Sequence, residues 1–211
     1  MSAIHHHTPD ALLAAYATGS LPLPFAVVVA AHTSLCTRCR SVYEAHQVAG
    51  GVVLETGSRT DVSGDLKTRT LDLLDAPMVT EASYERAGIL PGPVMQALKG
   101  KPPRWKPIGM GVRQSIISSG NAGSVRLLSI PPGQAVPDHS HHGLELTLVL
   151  QGSFSDETGR YGVGDLEVAD DTLEHTPIAG EGEPCICLAA TDAPLRFTSL
   201  VPRLLQRVFR I

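Results

Sequence analysis

Gly133-Gln-Ala-Val-Pro-Asp-His139-Ser-His141-His-Gly-Leu-Glu145-Leu-Thr-Leu-Val-Leu-Gln-Gly152 is the stretch on which the reading of the second half of the chain turns. Successive side chains on a β-strand point to opposite faces, so residues at even separation share one. A regular strand therefore aligns His139, His141 and Glu145, with Thr147 and Val149 continuing that face, while His142 points the other way. Two imidazoles and a carboxylate suit zinc, iron, manganese or nickel. A fourth donor must come from elsewhere, and His175 in Asp171-Thr-Leu-Glu-His175 is the remaining histidine of this half.

Around this stretch the text is β. Short segments near 105–109, 113–119, 124–130, 144–150, 163–169, 184–190 and 195–199 alternate with turn clusters such as Ser119-Gly120-Asn121 and Pro131-Pro132-Gly133. Strands at that spacing predict a sandwich or small barrel. In the tail, Leu204, Leu205, Val208 and Ile211 stand at helical offsets.

The first third reads as helix. Thr8 is the expected N-cap, with Pro9 at the first helical position, Asp10 in the first turn and Gly19 at the end. The apolar segment from Pro22 to His32 fits a buried helix or a strand by pattern alone. Two further helical segments are expected, from Arg38 to Ala49, stopping at Gly50-Gly51, and from Leu66 to Leu74. Prolines 77, 91, 93, 102 and 103 make residues 76–103 read as a linker or extended lead-in. The expected division is 1–85, a helical domain; 86–103, a linker; and 104–211, a β-barrel.

The helical part carries its own donor cluster, His32-x3-Cys36-x2-Cys39. A Cys-x2-Cys knuckle brings two thiolates to one ion, and a histidine one helical turn earlier lies on the same face. That geometry favours a helix over 22–35. Tetrahedral zinc wants a fourth ligand, for which His5, His6, His7 and His46 are the candidates.

The 211 residues carry 17 basic and 21 acidic side chains, a net charge of −4. That leaves no basic field for direct nucleic-acid binding. The longest apolar run, Phe25 to Ala31, is too short for a bilayer, and the N-terminus lacks a signal-peptide pattern. The expectation is a cytoplasmic protein without membrane or nucleic-acid partners. The close pairs Cys36/Cys39 and Cys185/Cys187 read as metal ligands or redox groups rather than as a disulfide framework.

With His7 standing 25 positions before His32, the set His7, His32, Cys36 and Cys39 resembles the zinc-binding domain of bacterial zinc anti-sigma factors. The opening His7-Thr-Pro-Asp-Ala-Leu-Leu-Ala-Ala-Tyr-Ala-Thr-Gly19 resembles that of ChrR-type members. The resemblance selects His7 as fourth ligand and implies a small helical bundle that clamps an extracytoplasmic-function (ECF) sigma factor, segment 66–74 contributing to the clamp. Gly133 to Gly152 resembles the first cupin motif. The second is altered, with Gly162-Val-Gly-Asp165 in place of the usual Pro-x-Gly and His175 at a stretched spacing. A zinc anti-sigma domain followed by a cupin barrel is the ChrR-type architecture. The resemblance extends to Trp105-Lys-Pro-Ile-Gly-Met-Gly-Val112 and Cys185-Ile-Cys187.

The fold expected is therefore α + β in two parts, a small zinc-binding helical bundle and then a cupin β-barrel. The resemblance implies two zinc ions per chain, the second at His139, His141, Glu145 and His175, where iron, manganese or nickel are alternatives. It implies an anti-sigma factor that releases its ECF sigma factor under oxidative stress, singlet oxygen or a related oxidant, sensed by the cupin. Cys185 and Cys187 share a strand face and form a candidate redox pair, against the simpler reading of two buried core residues. The alternative function is a cupin metalloenzyme, a dioxygenase or isomerase, with a helical zinc accessory domain.

Overall fold

The chain begins with three packed helices, α1 (Asp10–Ala17), α2 (Leu23–Leu35) and α3 (Thr37–Thr56), in a computed structural model. It describes residues 3–75, 82–137, 139–140, 143–193 and 196–197, with the backbone alone at 75, 139, 140, 196 and 197. The apolar tail positions Leu204 to Ile211 and the ligand candidate His141 lie outside the described residues.

Thr8 is not the N-cap of α1. Pro9 holds that position with φ −56° and ψ 144°, and its carbonyl accepts from the N–H groups of Leu12 and Leu13. Gly19 ends the helix at φ +70°, in the left-handed region glycine tolerates. The valine-rich segment is helix α2, opened by Pro22 as N-cap and buried at Phe25, Val28, Val29, Ala31 and His32. Burial against neighbours overrides the modest β preference of its valines. Helix α3 does not stop at Gly50-Gly51 but continues to Thr56. Neither glycine adopts a left-handed φ, so the pair weakens the helix without terminating it. Helix α4 (Leu66–Asp72) follows, with a 3₁₀ turn over Leu73–Asp75.

The stretch expected as a linker carries helix α5 (Gly92–Ala97). Val94 and Met95 of α5 are buried against α2, with Tyr84 and Leu98 packed beside them. Prolines punctuate this segment, yet Pro91 and Pro93 only start a helix, where proline costs no hydrogen bond.

Twelve strands follow among the described residues. A six-stranded antiparallel sheet has the order β1 (Lys106–Gly109), β2 (Val112–Gly120), β3 (Gly123–Ile130), β11 (Cys185–Thr191), β5 (Glu145–Gln151), β8 (Leu166–Ala169). Two three-stranded sheets complete the fold. One is β10 (Ile178–Ala179), β6 (Ser153–Asp156), β7 (Gly159–Gly162); the other is β12 (Arg196–Phe197), β4 (His139–Ser140), β9 (Glu174–His175). This is a cupin-type β domain, as the spacing of strands and turns predicts.

The central strands of the large sheet, β3, β11 and β5, are buried on both faces, while β1 and the ends of β2 are exposed. Val125, Leu127, Leu146, Leu148, Leu166, Leu188 and Ala190 join Val28, Val29 and Val94 in one cluster between sheet and helices. On the other face Ile130, Val149, Phe154, Tyr161, Ala179, Cys185 and Cys187 form a second cluster inside the β domain. Alternation along β5 sends Leu146, Leu148 and Leu150 to the first cluster and Val149 to the second. No helix among the described residues is long and apolar enough to cross a membrane.

The shared cluster predicts joint unfolding. Leu148→Ala removes a fully buried side chain beneath α2 and should cost roughly 2–5 kcal/mol. Far-ultraviolet dichroism of helix and near-ultraviolet signals of the β domain should then fall together, at one lowered midpoint.

Candidate metal centres

The end of α2 and the start of α3 form the first centre. Cys36 lies between the two helices with φ −103° and ψ 108°, a sharp break that turns its side chain and that of Cys39 toward His32. His32 Nε2 lies 3.3 Å from Cys39 Sγ, and Cys36 Sγ lies 3.3 Å from His7 Nδ1. The four donor atoms all fall within 4.8 Å of one another. Two thiols and two imidazoles at that separation match the edges of a zinc tetrahedron, so the residues fit the ion.

The rivals of His7 are engaged elsewhere. His46 Nε2 pairs with Asp10 Oδ1 at 2.9 Å on the surface, and the His6 ring lies on Tyr161, centroids 4.3 Å apart. His5 and His6 give their backbone N–H groups to Asp165 of the β domain.

Electrostatics at this centre follow from burial. Desolvation lowers the His32 pKa to about 4, so its ring is neutral and ready to ligate. The backbone of Gly164, approaching from the barrel, works in the opposite direction. Burial raises the Cys39 thiol, against which Thr8 acts through its backbone and hydroxyl. Thr8 therefore faces the Cys39 sulfur instead of capping a helix, a role hidden in the sequence behind its good capping chemistry.

The second centre lies inside the β domain. His139 and His175 are register partners in the β4–β9 pair. The backbone thus brings these two candidate ligands side by side; the His139 side chain and all of His141 lie outside the described residues. Glu145 begins β5 and accepts a hydrogen bond from Thr147 Oγ1 at 3.0 Å, so the two share a face as alternation predicts. His175 is 2 % exposed, with Nδ1 2.6 Å from Asp156 Oδ2 and 3.3 Å from Glu167 Oε1.

Asp156 and Glu167 are missed by the sequence reading. One donor atom from each, with one from His175, falls within 4.8 Å of the others. Burial pushes the Glu167 carboxyl up to about 8. Burial opposes charge on His175 too, but hydrogen bonds to Glu167 and Asp156 outweigh it and raise the pKa to about 9. Asp156 is held well below the usual carboxylate range, since hydrogen bonds from Glu167, Thr158 and His175 outweigh its burial. With Nδ1 turned to Asp156, His175 presents Nε2 as the atom for a metal, the arrangement by which a carboxylate orients a ligating imidazole. No sequence signal marks the two carboxylates, because Asp156 closes β6 and Glu167 lies on β8, and only the fold brings both to His175.

Cys185 and Cys187 are both buried on one face of β11, with sulfurs 3.4 Å apart. The thiol of Cys187 is raised well above its ordinary range by hydrogen bonding to Cys185 and by burial, Glu167 and Glu145 adding to the effect. The pair and the second centre thus share one interior.

Comparison with known proteins agrees with this architecture. The family profile described as the ChrR cupin-like domain matches residues 96–194. Anti-sigma-E factor ChrR of Cereibacter sphaeroides is 49% identical over 211 residues, covering 99% of each chain. The crystal structure of Rhodobacter sphaeroides SigE in complex with the anti-sigma ChrR matches with a TM-score of 0.80 and 47% identity. That match covers 90% of this chain and 100% of the other. Helices and barrel are thus matched together, in the same order and over the same length, and this chain belongs to the ChrR family of anti-sigma factors.

Proposed function

We propose that this chain binds and inhibits an ECF-type sigma factor in the cytoplasm. The relative of known structure was crystallised with SigE, and the whole-length similarity supports carrying that kind of partner to this chain. The observation that carries the reading is an uncovered apolar surface. Val48, Val52, Val53 and Leu54 on α3 are 54–84% exposed, as are Leu71, Leu73 and Leu74 around α4 at 51–75%. Apolar side chains in such number mark a protein-binding face. The metalloenzyme alternative is set aside because the similarity to a regulator runs through both halves.

In this reading residues 1–85 form the sigma-binding unit, 86–103 connect it, and 104–211 form the sensor. One zinc is held by His7, His32, Cys36 and Cys39. A second ion, zinc or else iron, manganese or nickel, is held by His139, His141, Glu145 and His175. Oxidative stress, by singlet oxygen or a related oxidant, acts on the cupin part, with Cys185 and Cys187 beside its metal as the oxidisable pair. Loss of the sensor's resting arrangement then weakens the hold on the sigma factor.

Co-purification of the full chain with an ECF sigma factor tests the reading directly. A one-to-one complex is expected, at least about tenfold weaker for the charged variants Val52→Glu and Leu71→Glu, since one buried apolar anchor is worth 1.4 kcal/mol or more. Val168→Glu, on the far edge strand β8, should leave binding unchanged. Absence of a complex with any ECF sigma factor tried, by a folded and zinc-loaded chain, sinks the assignment.

Metal content gives a second check. The purified chain should hold two ions, and Cys36→Ser should lose one. Zinc added to metal-free protein at pH 7 should release at least about one proton per ion at the first centre, because Cys39 is a protonated thiol there. Protons compete with the metal for that sulfur, so affinity falls as pH falls. Titration calorimetry in two buffers of different ionisation enthalpy reads the proton count. A sigma-dependent reporter gives the third check: Cys187→Ser should keep inhibition but blunt release by oxidant.

A further inference from the structure

His7 differs from its three fellow ligands. Those lie on α2 and α3 within a few residues of one another, whereas His7 sits on an extended segment ahead of α1. What holds that segment is the barrel. Asp165, in the loop between β7 and β8 and 3 % exposed, accepts hydrogen bonds at Oδ1 from the backbone N–H of His5 at 2.6 Å and of His6 at 2.9 Å. Its Oδ2 accepts from Gly162 N–H at 2.9 Å. Leu166 N–H donates to the His6 carbonyl at 3.2 Å. Gly164, at φ +93°, leaves room for Ile4; an added Cβ would lie 2.6–2.7 Å from the Ile4 side chain.

The Tyr161 side chain beneath the His6 ring is also the end of a hydrogen-bonded chain. Its hydroxyl lies 2.8 Å from Thr158 Oγ1, which donates its only proton to Asp156 Oδ1 at 2.7 Å, so the tyrosine is the donor to threonine. Asp156 Oδ2 meets His175 Nδ1 at 2.6 Å. From His175 to His6, the residue next to His7, each link is a direct contact.

We propose that Asp165 and Tyr161 are positioning residues of the N-terminal metal centre, and that the contacts Tyr161–Thr158–Asp156–His175 make their hold on His7 depend on the cupin centre. The inference deepens the proposed function and rests on the reading of His7, His32, Cys36 and Cys39 as a zinc site. Its physical basis is conformational entropy. A ligand on a loose chain end must be ordered when the metal binds; a buried carboxylate that fixes two successive N–H groups orders it beforehand. These bonds are charge-assisted and among the stronger kinds. The alternative is that Asp165 merely satisfies three backbone N–H groups in a turn, with no bearing on the metal.

Zinc transfer from the full-length protein to a chromogenic chelator separates the two. Cys36→Ser identifies the phase that belongs to the N-terminal ion. Asp165→Ala should speed that phase at least about tenfold, the range in which outer partners of metal ligands act. Asp165→Asn retains an oxygen for the two N–H groups but loses the charge and sets an amide donor against Gly162 N–H, so its rate should fall between wild type and Asp165→Ala. Ile4→Ser loosens the same segment by removing its contact at Gly164, with every barrel residue kept, and should speed release as well. His175→Ala should speed the N-terminal phase, and should no longer do so when combined with Tyr161→Phe, which keeps the ring and removes the hydroxyl. Unchanged release from both Asp165→Ala and Ile4→Ser overturns the positioning role. An equal His175→Ala effect with and without the Tyr161 hydroxyl overturns the link. Zinc content unaltered by Cys36→Ser overturns the metal reading itself, and the proposal with it.

Discussion

The burial of α2 is the constraint on which the rest depends. Its thirteen residues are apolar almost throughout, and Val28, Val29 and Ala31 are wholly covered. The helix meets α1 and α3 on one side, α5 on another, and strands β3, β5 and β11 beneath. A small three-helix bundle has too little core of its own to be robust. Here the missing core is supplied by the sheet. That docking also fixes His32 beneath the Gly162–Asp165 loop, so the His/Cys cluster and the barrel are set in one frame.

Much of this was legible in the sequence. The histidine and cysteine spacing carries the first centre because a helical turn and a Cys-x2-Cys knuckle are local geometries. The strands were legible because turns rich in glycine and proline separate them. Alternation correctly pairs Glu145 with Thr147 on one face. Choosing His7 over His5, His6 and His46 was beyond local reasoning, since it depends on contacts 160 positions away at Asp165.

What stayed hidden was non-local. Gly50-Gly51 looks like a stop, but neither glycine leaves helical geometry and α3 runs on to Thr56, ending at Gly57 in extended conformation. Residues 82–103 look like a linker because proline is counted as a breaker, whereas their apolar side chains fill the flank of α2. Asp156 and Glu167 look like ordinary charges in β text. Their roles come from the fold, which brings the end of β6 and strand β8 together at His175, and no spacing along one strand encodes that.

The two-sided burial of the central strands has a consequence for how such proteins evolve. Strand β11 places Cys185 and Cys187 in the barrel interior while Leu188 and Ala190 lie under the helices. An antiparallel sheet commonly leaves one face to water and varies there at little cost. The central strands β3, β11 and β5 have no such face, so drift on either side is felt by the other. A chimaera joining these helices to a barrel with a polar outer wall would strand α2 against charge. On this packing an exchange keeps its core only where the residues on both sides of β3, β5 and β11 are moved together.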